Sequence, residues 1–318
     1  MFRPHIMLLL SLITAMAAGG ASCPRRRAPA PPVPVFASYP SLDQIAQVIN
    51  ANSSLVSSLQ AIGATLNVEG VPALRADLAL QRPRRFRLRA ELGLTGAEMD
   101  IGSNEDHFWL WVKRNQPPAV YHCKHDQFAT SAARQVLPVP PEWLGEALGV
   151  VSLEPAAQHS GPVPVGAGRL EVRSLIPSPG GDIQRILVVH DTFGWILEQH
   201  LLDAQGQTVA SAISSGHHEN PETGVILPRH VDVRLPTVGL AFSIDVPEFQ
   251  VNQIGPQAQG LWTMPRPPGF PLVDLATTPP SAIPAAQLRS LPPPPPPRYP
   301  LSPTAARPQR TRGFGFRN

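Results

Sequence analysis

Cysteine and histidine are the residue types in this chain most able to bind a metal or act as a nucleophile. The chain has two cysteines and ten histidines. His122, Cys123 and His125 lie close together, but His122 and Cys123 would point to opposite faces of a strand. No second ligand pair with zinc-like spacing accompanies them. We therefore predict no metal site and no cofactor.

Catalytic motifs are also missing from the sequence. It has no nucleophile elbow, phosphate-binding loop or metalloprotease helix. Residues 217–219, His-His-Glu, lie in a loop rich in Gly, Asn and Pro, where solvated side chains are the simplest interpretation. A hydrolase that uses Asp191, His190 and Ser214 is the remaining enzymatic alternative. The sequence favours a protein that is not an enzyme and has no catalytic residues.

Cys23 is a candidate for covalent attachment of lipid. It follows the basic residue Arg3, an apolar run over residues 6–18 and four small residues. A membrane-spanning helix needs about 20 apolar residues, whereas a shorter run fits the core of a signal peptide. The last residues resemble the cleavage site of bacterial lipoproteins, although Gly20 stands where those sites have a large aliphatic residue. We expect cleavage before Cys23 and its acylation, with cleavage after Ala21 as the alternative.

The two cysteines, Cys23 and Cys123, are too few for a disulfide scaffold. A bridge between them is one alternative, but it would pin a Pro-rich leader onto a strand. We expect Cys123 to be a small, packed residue.

Proline divides the chain into parts. The 40 prolines are unevenly placed, being frequent in residues 24–40 and again from about Ala276 onward. Neither stretch has the apolar content to build a core, so both are predicted to be extended or disordered. We therefore predict a signal peptide over 1–23, a Pro/Arg-rich linker over 24–40, one β-rich domain over 41–255 and a basic, disordered tail over 256–318.

The net charge of +3 hides a difference between the ends of the chain and its middle. The residues before Ser41 and after Asp274 contain ten arginines and no acidic residue, whereas the middle has 16 basic and 23 acidic residues, about −7. A nucleic-acid-binding fold carries its basic surface on the fold itself, so no nucleic-acid partner is expected. The basic ends favour contact with anionic lipid, cell-wall polymer or a protein, and simple solubility is the alternative.

Helical periodicity occurs in two places. Ser41 can cap a helix with Ile45 and Ile49 on its apolar stripe, which predicts a helix from Ser41 to about Asn50 and a further turn or two towards Ile62. A second helical stretch is predicted around residues 126–134 and 141–148.

Period-two patterns predict strands on both sides of the second helical stretch. The predicted strands are 73–80, 84–90, 108–112, 170–175, 183–190, 195–202, 208–214, 225–235 and 240–246. Strand 84–90 has Arg85, Arg87 and Arg89 on one face, which could bind phosphate or carboxylate. We favour the simpler interpretation, a solvated face with cross-strand ion pairs.

The strand 108–112 follows a predicted turn at 102–104 and has no polar face. Trp109 and Trp111 share one face, and Phe108 and Leu110 lie on the other. Such a strand must be covered on both sides or line an apolar cavity.

Three of these elements resemble the lipoprotein-carrier superfamily of bacterial envelopes, the LolA and LolB proteins. Residues 80–83, Leu-Gln-Arg-Pro, followed by Phe86, are similar to an Arg-Pro and aromatic element of the carrier. The turn and aromatic strand over 100–112 are similar to its Asp-Gly turn and tryptophan strand. The third element is the helical stretch before the second run of strands, and the resemblance covers residues 41–250.

The resemblance implies an α+β fold, with a curved antiparallel sheet that forms an open, incomplete barrel and helices packed on its concave side. Arg82 matches the arginine that hydrogen-bonds the lid in the carrier. Phe86, Leu88, Trp109 and Trp111 are then the candidates for lining a ligand-binding cavity.

We therefore expect an envelope lipoprotein, tethered by acylated Cys23 to a periplasm-facing bacterial membrane, whose β domain binds lipid or the acyl chains of lipoproteins. A soluble secreted or periplasmic protein is the alternative for its location. The alternative for its function is a structural envelope protein that displays the basic Pro-rich tail to the cell wall or a protein partner.

Overall fold

The computed structural model describes residues 31–93, 95–178 and 181–279. The chain divides into a unit Met1–Val33, of which only residues 31–33 are described and have no regular secondary structure, and a unit Pro34–Asn318. The predicted signal peptide with Cys23, residues 24–30 of the predicted linker and residues 280–318 of the predicted tail lie outside the described residues. None of the described helices is long and apolar enough to cross a membrane.

The described residues form four short α-helices, which are α1 (Leu42–Ser54), α2 (His125–Phe128), α3 (Ala133–Val136) and α4 (Trp143–Ala147). Ser41 caps α1 as predicted, since Ser41 Oγ accepts from Gln44 N at 3.2 Å and Gln44 Oε1 accepts from Ser41 N at 2.8 Å. The first further turn predicted beyond Asn50 is formed, since α1 ends at Ser54, but its continuation towards Ile62 is wrong. Residues 58–61 already belong to a strand with Leu59 and Ala61 buried.

Most of the fold is sheet. The strands are β1 (Ser58–Val68), β2 (Leu74–Gln81), β3 (Arg85–Leu92), β4 (Gly96–Ser103), β5 (His107–Val112), β6 (Val120–Lys124), β7 (Gln158–Pro164), β8 (Arg169–Ile176), β9 (Ile183–His190), β10 (Ile196–Leu202), β11 (Thr208–Ser215), β12 (His218–Glu219), β13 (Ile226–Leu227), β14 (His230–Leu235), β15 (Leu240–Asp245), β16 (Gln250–Val251) and β17 (Leu272–Asp274).

Fifteen of these strands form one sheet. Their order is β17-β6-β5-β4-β3-β2-β1-β15-β14-β11-β10-β9-β8-β7, with β16 beside β1, while β12 and β13 pair separately. All pairings are antiparallel except that of β17 with β6. The terminal strands β17 and β7 do not pair with each other, so the sheet is curved but open, which confirms the predicted fold class.

The two runs of strands meet where β1 pairs with β15, with Leu66 opposite Ile244. Helices α2–α4 connect the runs and pack with them on one side of the sheet. Residues of β2–β5 and of β14–β15 face the same space beneath α3 and α4, so this is the concave side. A smaller apolar cluster lies under α1 and includes Ile45, Ile49 and Leu187.

Two strand predictions need correction, and several strands, β1, β4 and β7 among them, are additional to the predicted ones. Gly102 and Ser103, predicted in a turn, end strand β4, and the turn follows them. The single strand predicted over 225–235 is divided into β13 and β14. Strand β7 is an additional edge strand whose alternation is interrupted at Gly161 and Pro162, and that irregularity hides it from a period-two search.

The predicted domain end at residue 255 is also wrong. Residues 256–262 form a 3₁₀ helix, and β17 lies beyond them. Trp262 is 5% exposed and Leu275 is fully buried. The prolines of this segment conceal these apolar anchors, so composition alone assigns to the tail residues that belong to the fold.

Candidate functional site

An apolar cavity of about 60 Å³ lies on the concave side of the sheet. Strands β2–β5 form one wall, β14 and β15 form the other, and α3, α4 and the residues next to them cover it. The sixteen residues that line it are all apolar and are Leu78, Phe86, Leu88, Ile101, Phe108, Leu110, Val136, Leu137, Leu144, Ala147, Leu148, Val233, Leu235, Leu240, Phe242 and Ile244. A wall of this composition offers no side-chain hydrogen bond to a ligand.

The cavity has a closed floor and a partly open rim. Its floor includes Leu88, Phe108 and Val233, which are almost fully buried. Six lining residues are only half-buried, and these are Ile101, Leu110, Val136, Leu144, Leu240 and Phe242. Apolar side chains that meet water around a concavity are favourable places to bury apolar ligand surface, at about 25 cal/mol per Å².

Two of the predicted ligand-binding residues, Phe86 and Leu88, line this cavity. The alternation of β3 directs both of them to the concave side, as the sequence predicts. Their role in binding stays a prediction.

Arg82 lies outside the cavity. Its guanidinium donates from Nη1 to Ser53 O at 3.0 Å and from Nη2 to Ser53 Oγ at 3.0 Å and Ser152 Oγ at 3.1 Å. These bonds join the last turn of α1 to the segment that follows α4. The structure therefore gives Arg82 a role in holding the covering segments together, and not in lining the cavity.

Trp109 and Trp111 face away from the cavity, so the expectation that they line it is corrected. Trp109 is fully buried and its Nε1 donates to Asp100 Oδ1 at 3.0 Å. The ring of Trp111 meets that of Phe270 edge to face at 5.4 Å. The cause is the register of β5, in which Phe108 and Leu110 point inward and the two tryptophans point outward.

The outer face of β3 is less solvated than predicted. Arg89 Nε lies 3.8 Å from Asp100 Oδ2 on the neighbouring strand, as expected for a cross-strand ion pair, and Arg85 pairs with Glu105. Arg87 is instead 9% exposed, its Nη2 lies 2.6 Å from Asp100 Oδ2, and its Nη1 donates to Leu261 O at 2.7 Å. The segment after residue 255 covers this arginine, which the predicted solvated face did not anticipate.

Helix α4, which covers the cavity, is fixed by polar contacts that the sequence analysis did not identify. Gln199 Nε2 donates to Glu146 O at 2.7 Å, and Arg185 Nη1 lies 3.0 Å from Glu146 Oε2. Arg185 Nη2 also donates to Ser152 O at 2.8 Å. The sequence does contain one signal for these contacts. Arg185 shares a strand face with the apolar residues Ile183 and Leu187, and a charged side chain on a buried face needs a partner.

Cys123 is a buried free thiol, as expected. Its Sγ lies 3.5 Å from Ser131 Oγ, and burial raises the pKa of the thiol. His122 points to the other face and meets the His107 ring at 5.7 Å. Among the described residues, no group of three His, Cys, Asp or Glu side chains could hold a metal ion.

The residues of the alternative hydrolase do not form a triad. His190 Nδ1 lies 3.5 Å from Asp191 Oδ1, but within the described part of the chain no hydrogen bond joins His190 to Ser214. Of residues 217–219, His218 and Glu219 are exposed as expected. His217 differs, because its ring stacks on Trp195 at 5.1 Å.

No protein-family model and no curated protein matches the chain. Solved structures similar to it include a domain described as an outer membrane lipoprotein-sorting protein from Vibrio parahaemolyticus, with a TM-score of 0.48, 9% identity, and coverage of 69% of this chain and 97% of that chain. A DUF1329 family protein from Desulfovibrio piger has a TM-score of 0.45 and 10% identity, over 68% and 95% of the two chains. A LolA superfamily protein from Nitrosomonas europaea has a TM-score of 0.42 and 9% identity, over 69% and 97%.

These neighbours include a LolA-superfamily protein and a lipoprotein-sorting domain, the kinds of protein that the sequence resembles. With identities of 9% to 10% and TM-scores of 0.42 to 0.48, the likeness is one of fold alone.

Proposed function

We propose that the concave cavity binds the acyl chains of lipids or lipoproteins, and that an acylated Cys23 tethers the chain to a bacterial envelope membrane. The observation that carries the proposal is the cavity itself, since all sixteen lining side chains are apolar and six of them reach its rim. No catalytic step is proposed.

The lining suits an acyl chain because an acyl chain has no hydrogen-bonding group. Each methylene group that leaves water for such a wall contributes about 0.8 kcal/mol. A polar ligand would instead lose its hydrogen bonds to water without replacement, at a cost of about 1–3 kcal/mol for each unpaired group.

The size of the cavity indicates how binding would occur. Its volume of about 60 Å³ is well below the roughly 300–1,000 Å³ of pockets that hold drug-sized ligands. An acyl chain therefore needs α3 and α4 to move outward. These helices have four and five residues, and α4 is tied to the sheet chiefly through Glu146, which bonds Arg185 and Gln199.

The binding proposal is tested by native mass spectrometry of the full chain, purified from bacterial membranes in mild detergent, with extraction of its lipid. In addition to the acyl chains attached covalently to Cys23, we expect one or more acyl chains bound non-covalently to the wild type. Val233→Phe, which fills the cavity, is expected to lose them, whereas Ile213→Phe is the matched control at a position that is 42% exposed. Equal lipid content in both variants would contradict the proposal. If the wild type carries no non-covalent lipid, the binding proposal is wrong and the alternative function, a structural protein that displays the basic tail, is favoured.

The tether has its own test. Cys23→Ala is expected to move the protein from the membrane fraction to the soluble fraction, because the acylated residue is lost. Unchanged retention in the membrane fraction would show that Cys23 is not the anchor.

A further inference from the structure

A second apolar surface lies at the turn between β9 and β10, apart from the cavity. The turn patch consists of the partly exposed side chains of Val35, Phe36, Val48, Phe193 and Trp195. A Cβ atom placed on Gly194 would lie 2.7 Å from Val48 Cγ1, 3.3 Å from Val35 Cγ2 and 3.4 Å from Phe36 Cε2. These three side chains therefore surround the turn and make the patch continuous.

The patch is rigidly built. Val35 N and Phe36 N donate to Thr192 O at 2.9 and 3.2 Å, which fixes the incoming chain to the turn. Phe193 stacks on Trp195 at 4.6 Å, and Trp195 stacks on His217 at 5.1 Å. A groove of about 60 Å³ runs between these rings and α1. A preformed surface of this kind needs little ordering when it binds a partner.

The polar groups of the groove are already occupied. Asn52 donates from Nδ2 to Ile226 O at 2.9 Å and accepts from Ile226 N at 2.8 Å. His217 Nε2 donates to Ile196 O at 2.9 Å, and burial lowers the pKa of this imidazole, which favours its uncharged form. The His190 and Asp191 pair lies at the edge of the turn, with Nδ1 3.5 Å from Oδ1. The patch therefore suits an apolar partner with a polar border.

The position of the patch in the chain indicates which partner that is. Eleven residues separate Cys23 from Val35, so the tether reaches at most about 40 Å. The patch surrounds the point where this tether joins the domain. Tryptophan and phenylalanine suit the boundary between lipid headgroups and acyl chains, and Arg25 to Arg27 in the tether add attraction to anionic lipid.

We propose that the turn patch docks the domain on the surface of the membrane to which Cys23 is tethered. The inference rests on the proposed tether, but not on acyl binding in the concave cavity. Docking through the patch fixes the orientation of the domain, which the tether by itself leaves free.

Trp195 provides a selective probe of this contact. It is the partly exposed member of the five tryptophans, since Trp109, Trp111, Trp143 and Trp262 are 0%, 6%, 3% and 5% exposed. The experiment places the full chain in phosphatidylcholine vesicles whose acyl chains carry bromine close to the headgroup. We expect a loss of emission relative to vesicles without bromine, because bromine quenches a tryptophan within contact distance.

The variants assign the signal. Trp195→Phe is expected to lose the quenching, and any remainder reports lipid near Trp143, which packs in the large concave cluster. Val35→Ser combined with Phe193→Ser is expected to abolish quenching of Trp195. Ile213→Ser, at an exposed position on β11, is the matched control and retains it. Val233→Phe also retains it, which separates this inference from acyl binding.

Two results would overturn the inference. If Trp195 of the vesicle-bound chain is quenched by soluble acrylamide but not by bromine, the patch faces water. If neither acrylamide nor bromine quenches Trp195, protein covers it, such as a second copy of the chain.

Discussion

Strands β3–β5 present two faces that are packed in different ways. On the outer face, Trp109 is fully buried and lies so close to β4 that a Cβ atom on Gly102 would be 2.2 Å from its ring. On the concave face, the same strands line a cavity beneath α3 and α4. The strands can therefore pack closely, and the cavity does not arise from a local defect of the sheet.

The side chains account for the difference. The outer face combines large flat rings with a buried ion pair, Arg87 and Asp100, that also holds Trp109 and the backbone of Leu261. These directional bonds fix one arrangement. The concave face has aliphatic side chains and phenylalanine without side-chain hydrogen bonds, so its contacts are not directional. Movement of its cover requires release of the bonds that join Glu146 on α4 to Arg185 and Gln199. We infer that the outer face stabilises the fold while the concave face serves binding.

Asp100→Ala is expected to have the largest effect. It removes the partner of Arg87, whose side chain is 11% exposed, and an unpaired buried charge costs about 3–5 kcal/mol. Urea unfolding measures the loss. Asp245→Ala, whose carboxylate side chain is 51% exposed and pairs with His230, is the control and should cost no more than about 1 kcal/mol. Equal losses would show that the outer ion pair has no special role.

Gly102→Ala is expected to destabilise the outer face by about 1–3 kcal/mol, because overpacking displaces a side chain that cannot move freely. Trp109, on the strand opposite, is that side chain. Gly93→Ala is the control, since a Cβ atom there meets nothing within 4 Å. Thermal unfolding of the two variants makes the comparison, and an unchanged midpoint for Gly102→Ala would contradict the close packing described here.

Adding one methylene group to a valine on each face allows the packing of the two faces to be compared by the stability of the variants. Val120→Ile enlarges a fully buried residue that packs with Trp109 and Trp111, and we expect a loss of about 1 kcal/mol. Val233→Ile enlarges a residue at the cavity, where the methylene group has room, so its stability should be unchanged or slightly raised. The opposite order of stabilities would show that the concave face is the more tightly packed one.

The last prediction concerns the reactivity of the Cys123 thiol and involves no change in stability. Burial holds the pKa of its thiol above the ordinary value of 9.0, so the thiolate is scarce at pH 8 and its alkylation is slow. The rate should still rise with pH above 9, where an ordinary thiol levels off. The measurement is the rate of iodoacetamide labelling in a Cys23→Ser background.

The same labelling reports movement of the cover. Arg185→Gln removes the partner of Glu146 on α4 and should speed the reaction of Cys123. Arg114→Gln, an exposed change on the outer face, should not. Equal rates in both variants would mean that the bonds of α4 do not hold the concave cover in place.

Much of the fold is predictable from the sequence because it depends on local patterns. Ser41 and its apolar stripe place α1, and period-two alternation places β2 and β3 close to their observed bounds. The same alternation correctly separates Phe86 from Arg87 on the two faces. Gly102 and Ser103 are harder to place, because Gly-Ser-Asn over 102–104 has the composition of a turn, and Trp109, which lies opposite Gly102, is on the next strand.

The features that the sequence did not predict depend on contacts between distant residues. The segment 256–275 covers Trp109 and Trp111, and this determines which face of β5 lines the cavity. In the sequence, the prolines of this segment resemble a disordered tail. The bonds of α4 depend on Arg185 and Gln199, about 40 and 50 residues further along the chain. Local periodicity carries no information about such pairings.

The central claim, that acyl chains occupy the concave cavity, is tested most directly by photo-crosslinking. The full chain is incubated with palmitic acid that carries a diazirine near its methyl end, irradiated, and digested for mass spectrometry. We expect the adducts on β3 around Phe86 and Leu88 and on α4 around Leu144 and Ala147, and their loss in Val233→Phe. Adducts confined to the turn patch, or unchanged in Val233→Phe, would contradict the claim.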